Sequence, residues 1–226
     1  MEDILFPHKQ QKELSIIFLL FLEKLKSKVE NLSSEEEIRN AIDDMDIYDY
    51  ENVKLAIAAL AITNSNYVFE QIGKVSKKIL GSNIFSINTI NEEILLKFIK
   101  ECLKDYKEIK NYFLDDLIKR IKDVEINEAI LITYAVVANW IETKTIQHTG
   151  NMYTESTKDI CKDFNIGTYI WRTKEDDRVR PTHRELNRTR RTFDESPKPG
   201  EEWRCRCWFG FEKEDFKGGE KDRAEI

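Results

Sequence analysis

Three side chains near the C-terminal end can do the most chemistry in this sequence: His183, Cys205 and Cys207. Thiolate sulfur and neutral imidazole are zinc donors, and a zinc site takes four such ligands, usually in pairs spaced by two to four residues. The Cys-x-Cys spacing is tighter than that, and only one histidine is close in sequence. Asp177 or Cys161 would complete a His–Cys₂–Asp or His–Cys₃ set. The same residues admit two other readings. Two cysteines two apart on an extended strand share a face, where they can pack as small apolar groups around Trp203. Alternatively, Cys205 or Cys207 acts as a nucleophile with His183 as base and Asp177 as its orienting carboxylate. A strand, however, lacks the helix terminus that depresses a thiol pKa. A disulfide across Cys-x-Cys would close a strained small ring. Four cysteines in 226 residues do not make a disulfide scaffold.

Between them lies a basic run. Arg178–Arg191 (RVRPTHRELNRTRR) carries Arg178, Arg180, Arg184, Arg188, Arg190 and Arg191 against one acid, Glu185. Arginine forks suit bidentate contacts to carboxylate or phosphate. The six are therefore candidate contacts to an acidic partner or to DNA, and with His183 they would suit a phosphate-gripping nuclease. The bland alternative is a solvated basic face. Asp177, Arg178, Arg180 and His183 can equally form a satisfied polar network, with Asp177 accepting from an arginine such as Arg206. The formal charge of −6 argues against wholesale coating of nucleic acid, which needs an excess of cations.

The elements that must position these groups divide in character. Up to about residue 165 the apolar residues recur at helical steps. One stripe runs through Ile4–Lys28 (Leu14, Ile17, Phe18, Phe21, Leu22, Leu25). Ser33-Ser34 before Glu35–Glu37 reads as a capped helix start. Further helices are expected at Tyr50–Leu80, Asn91–Lys122 and Ile126–Lys144, and could pack as a bundle. No proline falls between His8 and Val179, which suits long helices. His148, just past the last of them, is expected to be exposed. Beyond residue 165 the periodicity changes. Tyr169–Thr173 and Trp203–Phe211 alternate apolar with polar residues, as short half-buried strands do. Pro197-Lys198-Pro199-Gly200 forms a turn or loop between them. The expectation is an α+β chain: a helical region over 1–165, a small antiparallel β unit over 166–212 and a frayed charged tail over 213–226.

The order of these elements is itself informative. It runs Tyr169-Ile170-Trp171-Arg172-Thr173, Asp177-Arg178-Val179-Arg180, His183, Leu186-Asn187, Phe193, Pro197 to Gly200, then Cys205-Arg206-Cys207-Trp208. This resembles the signature of the phage Mu F-like head morphogenesis family. Ile141–Lys144 and the turn expected at Gly150-Asn151 extend the resemblance loosely upstream. Asn187 stands where the family often has glycine, and asparagine tolerates a left-handed turn. The resemblance implies a minor capsid protein of a tailed phage or prophage, associated with the portal and other capsid proteins, and with packaged DNA. It also implies residence in the virion after assembly in the host cytoplasm, with no catalytic residue. The other class left open is an enzyme or toxin domain using His183 with Asp177 or the two cysteines. Nothing beyond the candidate zinc is expected as a cofactor. The acidic start Met1-Glu2-Asp3 does not read as a secretory signal. The longest apolar run, Ile16–Leu22, has seven residues, far short of the roughly 20 that span a bilayer.

Overall fold

The computed structural model describes residues 1–45, 50–82 and 91–219. In chain order the elements are strand β1 (Glu2–Ile4), helices α1 (His8–Val29), α2 (Glu35–Asp43), α3 (Tyr50–Leu80), α4 (Glu92–Arg120) and α5 (Ile126–Asp163), strand β2 (Thr168–Arg172), helix α6 (Pro181–Leu186), strands β3 (Arg190–Thr192) and β4 (Trp208–Phe211), and a 3₁₀ helix, η1 (Lys213–Gly219). This is an α+β chain, mainly helical with a small antiparallel sheet. Among the described residues no helix is long and apolar enough to cross a membrane. The chain forms two compact units, and the division falls inside the long helices.

One unit holds residues 11–60 and 99–145 and is built from helical segments alone. Its buried stripe on α1 is Leu14, Phe18, Phe21, Leu22, Leu25 and Val29, the three- and four-residue steps of one helix face. Ser34 caps α2 through a reciprocal box: its hydroxyl accepts from the Glu37 N–H, and Glu37 reaches back to the Ser34 N–H at 3.1 Å. Two orphan donors of the first turn are thereby satisfied. Asp116 of α4 ties two helices of this unit. It accepts from Arg120 Nε at 2.5 Å and from the Thr133 hydroxyl of α5 at 2.8 Å. Burial alone would raise its pKa, but the Arg120 and Thr133 hydrogen bonds outweigh that and hold it below the usual carboxylate value of 3.8. The stabilisation is therefore complete above pH 3.8 and fades as pH falls through the lower folded pKa. Asp116→Asn is expected to cost about 1–3 kcal/mol at neutral pH. It should also remove part of the stability loss seen below pH 4, both read from denaturant titrations.

The other unit holds residues 1–10, 61–98 and 146–219 of the described chain, and carries the sheet. The strand order is β1-β4-β2-β3 and every pairing is antiparallel. Ile4 pairs with Phe209, Trp171 with Phe209, and Tyr169 with Arg191. Tyr169 and Trp171 of β2 and Phe209 and Phe211 of β4 are buried in one apolar cluster. Val68, Ile72 and Val75 of α3 and Tyr153, Ile160 and Cys161 of α5 belong to the same cluster. Ile170 is also buried, so β2 is covered on both faces rather than half-buried as its alternation suggests. The Tyr153 hydroxyl donates to the Ile4 carbonyl at 2.5 Å and accepts the Phe209 N–H at 3.2 Å, fastening a helix to the β1–β4 pair. At the far edge Arg190 of β3 meets Glu212 at 2.7 Å and the buried Asp215 at 3.0 Å, which holds η1 beside β2 and β3. The part of the expected tail beyond residue 219 lies outside the described residues.

Several elements differ from the sequence reading. Ile4 belongs to a strand and not to the first helix. Helix α5 continues nineteen residues past Lys144, so Gly150-Asn151 is helical instead of a turn, and His148 is buried against the edge of Phe98 instead of exposed. Only Trp208–Phe211 of the expected strand Trp203–Phe211 is a strand; Cys205 and Cys207 precede it in a turn.

Candidate functional site

His183 is the middle of α6, a helix of six residues opened by Pro181 at its first turn, where a missing N–H costs nothing. The helix turns the imidazole inward, where it is 2% exposed and meets the Trp171 ring edge-on, the centroids 5.1 Å apart. Trp171, not Trp203, is the indole of the site; Trp203 is 62% exposed and forms no part of a thiol core. The second half of the site is the turn after the Pro–Gly loop. Gly200 (φ +88) and Arg204 (φ 55) take left-handed backbone and fold the chain so that both sulfurs point at His183. Cys205 Sγ lies 3.7 Å and Cys207 Sγ 3.5 Å from His183 Nδ1. The three donor atoms all fall within 4.8 Å of one another.

The loop that carries the cysteines rests on α5 through two glycines. A Cβ on Gly150 would stand 2.3 Å from the Gly200 carbonyl oxygen, so the glycine at position 150 allows helix and loop backbones to touch. The Thr154 hydroxyl donates to the Pro199 carbonyl, and the Gly200 N–H donates to Cys205 Sγ at 3.3 Å. Gly150 and Glu202 are the two residues the sequence reading did not place at this site. For Gly150 the available signal was a glycine inside a long helical pattern, which is costly unless packing requires it. Glu202 carried no pattern of its own.

Glu202 is the carboxylate of the site. Its Oε2 lies 2.9 Å from His183 Nε2 and 2.9 Å from Arg180 Nη1, and Arg180 also donates to the Trp203 carbonyl. Asp177 does not take part. It is exposed, its carbonyl accepts from Arg184 at 3.2 Å, and the carboxylate nearest Arg206 is that of Asp176, at 3.7 Å. Asp176 is turned inward because it accepts the Arg178 N–H two residues on, an Asx-type bond that leaves the next side chain facing out. Cys161 is buried in the apolar cluster and lies outside the His183–Cys205–Cys207 group. Asn187 keeps ordinary backbone and the left-handed residue is Arg188 (φ 65). The Asn187 side chain closes the turn instead, accepting the Thr173 N–H and donating to Glu175.

Electrostatically the cluster behaves as one unit. A hydrogen bond from Cys207, with others from His183 and the Gly200 N–H, holds the Cys205 thiol well below its ordinary pKa. The hydrogen bond to Cys205, with burial and the Cys205 charge, in turn pushes Cys207 up. The same sulfur, with Glu202 on the other ring nitrogen, raises His183. All six arginines of the basic run find partners inside the chain. Arg178 pairs with Asp176 and Arg180 with Glu202. Arg184 donates to the carbonyls of Asp176 and Asp177. Arg188 pairs with Glu175, Arg190 with Glu212 and Asp215, and Arg191 with Glu195. Such pairs leave guanidinium edges free to meet a further anion but lower the field a distant phosphate would feel.

Among known proteins, the family model described as Phage Mu protein F like protein matches residues 113–209. No curated protein and no solved structure matches the chain. The matched stretch contains the end of α4, all of α5, strands β2 and β3, helix α6, the cysteine turn and the start of β4. Over residues 113–209, which hold His183, Cys205 and Cys207, the chain is similar to the phage Mu F-like proteins.

Proposed function

We propose that this chain is a minor capsid protein that acts in head assembly of a tailed phage or prophage, close to the portal. The single observation that carries the reading is the family match over 113–209, a family that suggests a phage head morphogenesis protein. The burial of the reactive groups supports a structural role. His183, Cys205 and Cys207 are 2%, 3% and 4% exposed, and a group that must touch substrate needs more access. The chain would be assembled in the host cytoplasm, remain in the virion, and contact portal and other capsid proteins. Packaged or ejected DNA is a further contact, with the exposed cations Arg178 and Arg188, at 71% and 67%, available to it.

Mass spectrometry of purified heads from a phage that encodes this chain tests the reading. The chain should be present in few copies per particle, and deleting its gene should lower the yield of filled heads. Absence of the chain from both heads and head precursors would remove the proposal.

One observation favours a second, enzymatic reading: Glu202, His183 and Cys205 stand in line as carboxylate, imidazole and thiol. Its carboxylate is Glu202 and not Asp177. Under this reading purified protein would cleave nucleic acid or peptide, and His183→Ala and Cys205→Ser would each abolish the activity with the fold intact. No measurable activity in the wild type would leave the structural reading alone.

A further inference from the structure

We propose that His183 Nδ1 and the sulfurs of Cys205 and Cys207 bind one zinc ion, with the fourth coordination position opening on the cleft they line. Three features of the geometry support this. Tetrahedral zinc, with Zn–S of about 2.3 Å and Zn–N of about 2.0–2.1 Å, sets N···S separations at roughly 3.6 Å. The two here are 3.7 and 3.5 Å, so the imidazole already stands from both sulfurs at the separation a shared ion requires. Glu202 holds the other imidazole nitrogen at 2.9 Å, the outer carboxylate that fixes ring orientation at zinc histidines. Arg180, at 2.9 Å from that same oxygen, holds the Glu202 carboxylate in place. Burial of all three donors beneath Trp171 supplies the apolar wall that strengthens coordination.

The fourth position follows from what surrounds the cluster. The three ligands share a cleft of about 230 Å³ with Lys174, Arg178, Arg204 and Arg206. Two thiolates neutralise the ion, so the cationic rim is not repelled by a net charge and favours an anionic fourth ligand, in the isolated chain a hydroxide or halide. Neither Asp177 nor Cys161 supplies it. The metal would pin α6 to the cysteine turn, two segments about twenty residues apart with few apolar groups between them.

The test is metal analysis of the full chain purified under reducing conditions, followed by exchange with cobalt(II). One zinc per chain is expected, together with the thiolate-to-cobalt absorption of a tetrahedral two-sulfur site. Cys205→Ser, Cys207→Ser and His183→Ala should each lose the ion. Glu202→Gln should keep it with a 10- to 100-fold lower affinity, and Asp177→Asn and Cys161→Ser should bind as the wild type does. If the serine variants fail to fold, competition of the Glu202→Gln protein against a chromophoric chelator still reads the site. A folded, reduced wild type that carries no zinc and takes up neither zinc nor cobalt in titration would overturn the proposal. Loss of metal in Asp177→Asn or Cys161→Ser would overturn the ligand set. Neither outcome bears on whether the chain enters the virion, which the particle analysis reads separately.

Discussion

Phe209→Ala is expected to remove about 3–5 kcal/mol of stability, the range for deleting a large buried ring without full collapse of the cavity. Phe209 is fully buried on β4, the strand paired on both sides, by β1 and by β2. Its ring stands 4.8 Å from Tyr169, 5.3 Å from Tyr153 and 5.7 Å from Phe193. Truncation therefore strips an aromatic partner from three rings at once, each pair worth about 0.5–1.5 kcal/mol beyond its buried area. Its N–H, held by the Tyr153 hydroxyl, would lose register with the helix. The measurement is guanidinium unfolding followed by tryptophan fluorescence, since Trp171, Trp203 and Trp208 all lie in the sheet-bearing unit. Far-UV circular dichroism should meanwhile retain most of the helical signal. A change below 1 kcal/mol would mean that the aromatic cluster is not the core of the sheet.

Gly150→Ala carries the second large effect, and its sign is the informative part. In an ordinary helix interior alanine is better than glycine by about 1 kcal/mol. Here the new methyl would meet the Gly200 carbonyl oxygen at 2.3 Å, and the atoms it meets are all backbone. The loop must retreat, breaking the Thr154–Pro199 bond and loosening the Gly200 N–H contact to Cys205. Overpacking of this kind costs about 1–3 kcal/mol, so net destabilisation is expected, with faster alkylation of Cys205 and Cys207. Gly167→Ala, where the added carbon meets nothing within 4 Å, is the control and should change little. A Gly150→Ala protein as stable as the wild type would show that the loop does not rest on α5.

The long helices were the legible part of this fold. Helix α3 begins and ends where its apolar steps begin and end, and the Ser34 box announces α2 before any packing is known. Helix α5 was underread because its second half is buried through hydroxyls: Thr145, Thr149, Thr154, Ser156 and Thr157. Thr145 and Thr157 bond back to the carbonyls of Glu142 and Tyr153, so these side chains enter the interior without an apolar pattern to reveal them. Strand β3 hides in the basic run because an edge strand tolerates charge on its open side. Helix α6 is too short for any period to register.

At the candidate site, residue types were legible and geometry was not. His183, Cys205 and Cys207 were singled out together and the fold does bring them together. The candidate carboxylate Asp177 faces outward, and the carboxylate that meets His183 is that of Glu202. Glu202 reaches His183 only through the left-handed turns at Gly200 and Arg204, which no spacing rule encodes.

The β1–β4 pair has a consequence for the order of events in synthesis. Ile4 waits for Phe209 and Glu2 for Phe211, so one edge of the sheet can close only after the chain through residue 211 has left the ribosome. Until then Tyr153 lacks the Phe209 N–H, one of its two hydrogen-bond partners, while helices with purely local contacts can form early. A nascent or truncated chain ending before residue 208 would thus present helices without a finished sheet. Closure of the β1 edge belongs to the stretch that carries Trp208–Phe211.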